Sequence, residues 1–106
     1  MNAYKNEILI ALDPMARNLH ADDYPKRIGG LEAHLVDDQF VIFEARVDRV
    51  HYLNATAALI LEFCDGKRSV GEIVTLVGEA YWLPDAPVEQ VHLGLESLIA
   101  EGLIHL

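Results

Sequence analysis

The stretch HYLNATAALILEFCDG, residues 51–66, places a nearly uninterrupted apolar run between an asparagine and an aspartate-glycine pair. Asn54 stands where a helix N-cap belongs, because its side-chain oxygen can accept hydrogen bonds from the free amides of the next turn. The run from Ala55 to Cys64 is apolar almost all the way round, which predicts a helix enclosed on most sides. Asp65-Gly66 ends it, since glycine adopts the left-handed conformation without steric cost. The stretch therefore predicts a buried helix with a defined start and stop.

The residues ahead of this helix predict a three-stranded antiparallel meander. LEAHLV, residues 31–36, alternates apolar and polar positions, and QFVIFEA, residues 39–45, is rich in aromatic and β-branched side chains. Asp37-Asp38 supplies a tight reversal between them. A second reversal near Arg46 precedes VDRVHYL, residues 47–53, which predicts the third strand.

Two more helices are predicted after the first. Ser69 and Glu72 have the spacing of a capping box, in which each side chain satisfies a backbone amide at the other position. The segment YWLPDA then interrupts the helical pattern, so that Asp85 or Ala86 is expected to cap a third helix that Gly102 closes. The order of elements predicts an α+β, winged-helix-like fold, with a three-stranded meander followed by three α-helices.

The chain of 106 residues has the size of one small domain with an extension in front of it. Residues 1–29 contain two prolines, Asp22-Asp23 and only one short apolar run, and they predict an N-terminal arm that carries little core, whereas residues 30–106 predict the folded domain. The apolar run from Ile8 to Leu12 is too short for a signal-peptide core or a membrane span. A cytoplasmic location without membrane contact is therefore expected.

The charge of the chain argues against nucleic acid and anionic lipid as partners. Seventeen acidic residues against eight Lys and Arg give a formal net charge of −9, which repels phosphate groups. No lysine or arginine follows Arg68, so any surface of the C-terminal segment is acidic.

The candidates for catalysis and metal binding are weak. Cys64 precedes Asp65 in an apolar helix, which disfavours the reactive thiolate and favours a packed core thiol. The five histidines are His20, His34, His51, His92 and His105. Their spacing places no two ligands on one helix face, and a second cysteine is absent from the sequence. We expect no catalytic residue, no metal and no cofactor, and hence no enzyme.

A winged helix-turn-helix transcription regulator is the main alternative, because three helices with a small antiparallel sheet form that class of DNA reader. Its recognition helix would carry Glu89, Glu96 and Glu101 without a basic residue. The YWLPDA connection is also longer than the three-to-four-residue turn typical of the motif. Both features disfavour DNA binding.

The segment VHYLNATAALILEFCDGKRSVGEIVTLV resembles the PqqD family of small peptide-recognition domains, also called RiPP recognition elements. The matching features are the pair Leu53-Asn54, the small and aliphatic helix that follows, and the turn Cys64-Asp65-Gly66. Lys67-Arg68 and Ser69 continue the likeness, and the segment from Leu95 to Leu103 is similar to the family's closing helix. The resemblance covers about residues 30–106 and identifies this part as a PqqD-like peptide-recognition domain.

The resemblance implies a non-catalytic adaptor for the biosynthesis of ribosomally made, post-translationally modified peptides. Such an adaptor, or peptide chaperone, binds the leader segment of a precursor peptide and presents the precursor to a modifying enzyme, often a radical-SAM enzyme. The leader would be added as a strand at the edge of the third strand, beside the third helix. The expected oligomeric state is a monomer or a homodimer.

The resemblance and the strand pattern together place the candidate peptide site in a groove between the third strand and the third helix. The expected edge lacks proline and is therefore able to pair along its whole length. Arg46 and Arg49 have two alternative roles, pairing with leader carboxylates or serving as ordinary solvated charges. The full set of candidate residues is Arg46, Val47, Arg49, Val50, His51 and Leu53 on the strand side, with Val88, His92, Leu95 and Ile99 on the helix side.

Overall fold

The computed structural model describes residues 19–106, so that the run from Ile8 to Leu12 and most of the expected arm lie outside the described residues. Within residues 19–106 the structure has five strands and three α-helices. In chain order they are β1 (Lys26–Arg27), β2 (Leu31–Val36), β3 (Gln39–Glu44), β4 (Arg49–Leu53), α1 (Ala55–Phe63), α2 (Val70–Ala80), α3 (Val88–Ala100) and β5 (Ile104–His105). The predicted α+β fold, a three-stranded antiparallel sheet followed by three helices, is confirmed.

The meander has the strand order β2-β3-β4, and each neighbouring pair is antiparallel. Asp37 and Asp38 form the first reversal with φ values of 49° and 66°. Two consecutive positive φ values are the signature of the two-residue hairpin turn whose twist matches the flanking strands. This turn fixes the register in which Val36 faces Gln39.

The second reversal is longer than the sequence predicts. Residues Ala45–Val47 form a 3₁₀ turn, and Asp48 adopts a left-handed conformation with φ of 53°. The third strand therefore begins at Arg49 and not at residue 47, and the second ends at Glu44 and not at residue 45. The 3₁₀ turn includes Ala45 and Val47, which the sequence predicts as strand residues, because their side chains are compatible with a strand or a turn.

Helix α1 begins as predicted, since the Asn54 side chain accepts a hydrogen bond from the Ala57 amide at 2.8 Å. The helix ends at Phe63, one residue before the predicted end, and Cys64 is its C-cap. Gly66 follows with φ of +79°, as the turn requires. A side chain at Gly66 would also meet the Lys26 side chain at 3.1 Å, so both conformation and space favour glycine here.

The predicted capping box of α2 is confirmed. The Glu72 amide donates to Ser69 Oγ at 3.1 Å, and the Ser69 amide donates to Glu72 Oε1 at 2.8 Å. The predicted cap of α3 is wrong, because Pro87 and not Asp85 or Ala86 is the N-cap, and it makes no side-chain cap hydrogen bond. The Pro87 ring is buried beside Gly78. This packing contact, and not a side-chain cap, marks the start of α3.

The core lies between the three helices and the inner face of the sheet. Helix α3 approaches α1 closely at Gly94, where an added Cβ would lie 2.8 Å from Cδ1 of Ile60. The buried apolar residues are Leu19, Ile42, Leu53, Ile60, Leu61, Cys64, Val70, Ile73, Val74, Val77, Val91, Leu95, Leu98, Leu103 and Ile104. None of the helices in residues 19–106 is long and apolar enough to cross a membrane.

The described part of the expected arm is packed onto the helices. Strand β1 pairs antiparallel with β5, so that Arg27 faces Ile104. Leu19 and Pro25 are buried, and the Pro25 carbonyl accepts from the Gly66 amide at 3.0 Å. The expectation that residues ahead of Leu31 carry little core is therefore wrong for residues 19–28. The domain boundary at residue 30 itself stays a prediction.

Candidate functional site

Strand β4 lies at one end of the sheet. It pairs with β3 on one side, from Glu44–Arg49 to Phe40–Leu53, and its other edge has no strand partner among residues 19–106. Arg49, Val50 and Tyr52 are exposed, and Tyr52 retains 65% of its accessible surface. This edge is therefore a row of backbone donors and acceptors flanked by solvent-exposed side chains.

His51 is the buried polar residue of this strand, with only 3% of its surface exposed. Its Nδ1 lies 2.5 Å from Oε1 of Glu101, and its Nε2 lies 3.0 Å from Oε1 of Glu44. Each ring nitrogen of the imidazole therefore lies within hydrogen-bond distance of one carboxylate oxygen. The His51 side chain thus joins the sheet to the end of α3, and only its backbone remains for pairing at the edge.

The other strand-side candidates divide into exposed and buried positions. Arg46 and Val47 lie in the 3₁₀ turn with exposed side chains, next to the start of β4. Leu53 is buried and belongs to the core. The exposed cations at Arg46 and Arg49 are therefore the side chains of this group that can meet a charged ligand directly.

The helix-side candidates lie along one side of α3. Val88, His92, Leu95 and Ile99 follow at steps of four, three and four residues, which places them on a common stripe. Val88 is exposed, His92 and Ile99 are half-buried, and Leu95 is fully buried. The stripe runs from solvent into the core. The contact that joins this helix end to β4 is the one between Glu101 and His51.

A cavity of about 460 Å³ was not predicted from the sequence. It lies between α1 and the sheet, and none of the ten candidate residues lines it. Its wall is mainly apolar, with Arg27 and Glu62 as charged members: Arg27, Leu31, Ala33, Phe40, Ile42, Ala55, Ala58, Leu59, Leu61, Glu62 and Tyr81. Its walls come from segments distant in sequence, and for this reason no local pattern signals it.

The Arg27 side chain beside this cavity has a structural role. Its guanidinium donates to the carbonyl oxygens of Leu61, at 3.1 Å, and Glu62. These carbonyls belong to the last turn of α1, where helix geometry leaves acceptors without partners. A cation at this end also interacts favourably with the helix dipole. The Arg27 side chain therefore stabilises the C-terminal end of α1.

Cys64 and Asp65 take the structural places that the sequence predicts for them. Burial raises the pKa of the Cys64 thiol from 9.0 to about 12, Arg27 opposes this shift, and Asp65 adds to it. The thiol donates to the Ile60 carbonyl at 3.1 Å. The Lys67 amide lowers the pKa of Asp65 most, and the Arg68 amide and guanidinium lower it further. The thiol is protonated and enclosed at neutral pH.

The described residues hold no group of three or more His, Cys, Asp and Glu side chains that could bind a metal ion. The cluster around His51 is not arranged to bind a metal ion, because the imidazole itself contacts the two carboxylates. Around this cluster the described residues present an unpaired strand edge and exposed arginine side chains.

A known protein family matches the part of the chain that contains the strand edge and the third helix. The PqqD family model, described as "Coenzyme PQQ synthesis protein D (PqqD)", matches residues 39–104, well over half of the chain. The chain belongs to the PqqD family. The match extends from β3 to the start of β5 and thus contains both sides of the candidate groove. The predicted family resemblance is confirmed.

A solved structure described as "TbiB1 in Complex with the TbiA(beta) Leader Peptide" is similar in fold to this PqqD-family chain. The superposition has a TM-score of 0.60 and 20% sequence identity, and it covers 76% of this chain and 94% of that one. Comparison with curated proteins found no match. None of these comparisons supports the alternative of a transcription regulator.

Proposed function

We propose that this PqqD-family protein binds the leader segment of a ribosomally made precursor peptide. The leader would be added as a fourth strand along the free edge of β4, and the protein would present the precursor to a modifying enzyme. The edge of β4 is the observation that carries the proposal, because it combines unpaired backbone groups with exposed side chains. The solved structure of similar fold, which contains a leader peptide, supports it.

Recognition of the leader would come from the side chains around the edge, since main-chain pairing is independent of sequence. Arg46 and Arg49 are exposed and would pair with leader carboxylates. Apolar leader residues would lie against Val47, Val50 and the accessible members of the α3 stripe, which are Val88, His92 and Ile99. His51, Leu53 and Leu95 are buried and would contribute by holding the strand and the helix in place.

The proposed role is non-catalytic, so the chemistry belongs to the partner enzyme, for example a radical-SAM protein. Two features support this assignment. The Cys64 thiol is fully buried, and burial raises its pKa to about 12, which opposes nucleophilic attack at neutral pH. The His51 imidazole has both ring nitrogens engaged by carboxylates, which leaves it without a free position for proton transfer.

An NMR titration tests the proposal. The ¹⁵N-labelled protein is titrated with a synthetic peptide that corresponds to the leader of the precursor encoded nearest to its gene. Amide shifts are expected to concentrate in residues 46–53 and 88–99. Arg49→Glu and His92→Glu are each expected to weaken binding by about tenfold, which corresponds to roughly 1.4 kcal/mol. Both side chains have solvent contact, so the folded protein should tolerate the changes.

The opposite edge of the sheet supplies the matched control. Among residues 19–106, strand β2 also pairs with β3 on one side only, and His34 is exposed on it. His34→Glu adds one carboxylate at that edge, as His92→Glu does on α3, and it is expected to leave leader affinity within twofold. Amide shifts concentrated in residues 31–36, or a larger loss of leader affinity with His34→Glu, would place the leader at the β2 edge and refute the proposed site.

A further inference from the structure

Trp82 is the most exposed large apolar residue of the described chain. It retains 92% of its accessible surface, and its backbone has a positive φ of 55°. Positive φ values are unfavourable for bulky side chains, and such conformations cluster at functional sites. Its neighbours Tyr81 and Leu83 are also exposed, so the loop between α2 and α3 presents a compact apolar patch.

The loop that carries Trp82 is held at several points. The Leu83 amide donates to the Gly78 carbonyl at 2.9 Å, and the Trp82 amide donates to the Glu79 carbonyl at 3.2 Å. The Thr56 hydroxyl donates to the Tyr81 hydroxyl at 3.1 Å, which ties the loop to α1. The indole is therefore presented on a fixed backbone, and such preorganisation lowers the entropic cost of binding.

A groove of about 430 Å³ adjoins the indole. Its lining residues include the acidic residues Glu79 and Asp85 together with Trp82 and Leu83. No lysine or arginine follows Arg68 in the sequence, and neither Glu79 nor Asp85 forms an ion pair among residues 19–106. The C-terminal end of α2 at Ala80 adds partial negative charge through the helix dipole. The groove thus combines an aromatic face with a negative potential.

We propose that this groove is a docking surface for a basic segment of a partner protein, anchored by an arginine that stacks on Trp82. A guanidinium is attracted to an indole face and pairs with carboxylates in a planar, two-pronged geometry, so it satisfies both features of the groove. Lysine meets only the charge requirement. The surface uses no residue of the β4 edge, and the inference therefore goes beyond the leader-binding proposal and does not depend on it.

Fluorescence of the 106-residue chain tests the docking surface directly, because Trp82 is its single tryptophan. The probes are acetylated and amidated tetra-arginine, tetra-lysine and tetra-glutamate peptides. Tetra-arginine is expected to change the Trp82 emission saturably, tetra-lysine to bind at least threefold more weakly, and tetra-glutamate to have no effect. Raising the salt concentration should weaken the arginine response.

Paired acidic variants supply the control. Glu79→Gln combined with Asp85→Asn is expected to weaken tetra-arginine binding at least fivefold. Asp37→Asn combined with Asp38→Asn removes the same charge from the distant β2-β3 turn, where asparagine tolerates positive φ, and should weaken it less than twofold. Circular dichroism confirms that each variant is folded.

Three results would overturn the inference. The first is the absence of a saturable Trp82 response to millimolar tetra-arginine, and the second is an equal loss in the two double variants. The third is dimerisation that sedimentation detects in the unliganded protein and that Trp82→Gly abolishes, since the patch would then bind a second copy of the chain. Loss of leader binding by Arg49→Glu is a separate measurement and affects only the proposed function.

Discussion

The imidazole of His51 and the carboxylate of Glu101 join the sheet to the third helix, with 2.5 Å between Nδ1 and Oε1. His51 lies in the middle of β4, whereas Glu101 is the C-cap residue of α3. The contact spans fifty positions of sequence and ends at the strand whose outer edge we propose to bind the leader. It therefore sets the position of α3 relative to that edge.

Removing this contact is expected to destabilise the fold. His51→Leu should lower the free energy of unfolding by about 2 kcal/mol, because it also leaves the nearly buried carboxylate of Glu44 without its partner. Glu101→Gln should cost about 1 kcal/mol, since Glu101 is more exposed. Urea unfolding measures both. Additive losses in the double variant would contradict the pairing, and Glu89→Gln on the exposed face of α3 is the control.

A variant of Trp82 separates stability from function. Trp82→Gly should raise the free energy of unfolding by about 0.5–1 kcal/mol, because glycine relieves the strain of positive φ and an exposed indole has little packing to lose. Tyr81→Gly is the matched control. Tyr81 has φ of −104° and contacts Thr56, so its replacement should destabilise. A loss of stability in Trp82→Gly, measured by thermal unfolding, would show that the indole packs against the protein.

Alkaline pH should destabilise the protein through Cys64. The folded-state pKa is about 12 and the reference value for the unfolded chain is 9.0, so the unfolded state loses its proton first. The stabilisation is fully present below pH 9.0 and is lost as the pH rises toward about 12. Within that window the free energy of unfolding falls by roughly 1.4 kcal/mol per pH unit.

Comparison with Cys64→Ala isolates this effect, because the other groups that titrate at alkaline pH are present in both proteins. The variant should be less stable at neutral pH, since the alanine leaves a small void in the core. The difference in unfolding free energy between the two proteins should shrink above pH 9.0. A difference that stays constant from pH 7 to pH 10.5 would contradict the assignment of a buried thiol.

The elements that the sequence predicts well are those with local causes. The Asn54 cap, the Ser69–Glu72 capping box and the Asp37-Asp38 turn each depend on groups within four residues of one another. Strand β4 was predicted two residues too long, because the 3₁₀ turn at Ala45–Val47 is stabilised by the reversal as a whole and not by a diagnostic side chain.

Features that depend on distant segments were missed for a physical reason. The partners of His51 come from β3 and from the end of α3, and β1 finds its partner β5 across most of the chain. Neither pairing leaves a periodic pattern in the sequence. The ten candidate residues follow from the family resemblance and the strand pattern, but which of them are exposed and which are buried depends on tertiary packing.

The close packing of α3 on α1 supplies the last prediction. Gly94→Ala would place its Cβ 2.8 Å from Cδ1 of Ile60, which is nearly inaccessible in the core. The gain in helix propensity is about 1 kcal/mol, and overpacking costs about 1–3 kcal/mol, so a net loss of about 1 kcal/mol is expected. Ile60→Val removes the contacting methyl group and should cost about 1 kcal/mol alone, but almost nothing in the Gly94→Ala background. Chemical denaturation of the four proteins in this cycle measures the coupling.

Strict additivity of the two losses would show that α3 moves away from α1 to accommodate the added methyl group. Leader binding by Gly94→Ala should then change as well, because α3 forms one side of the proposed site.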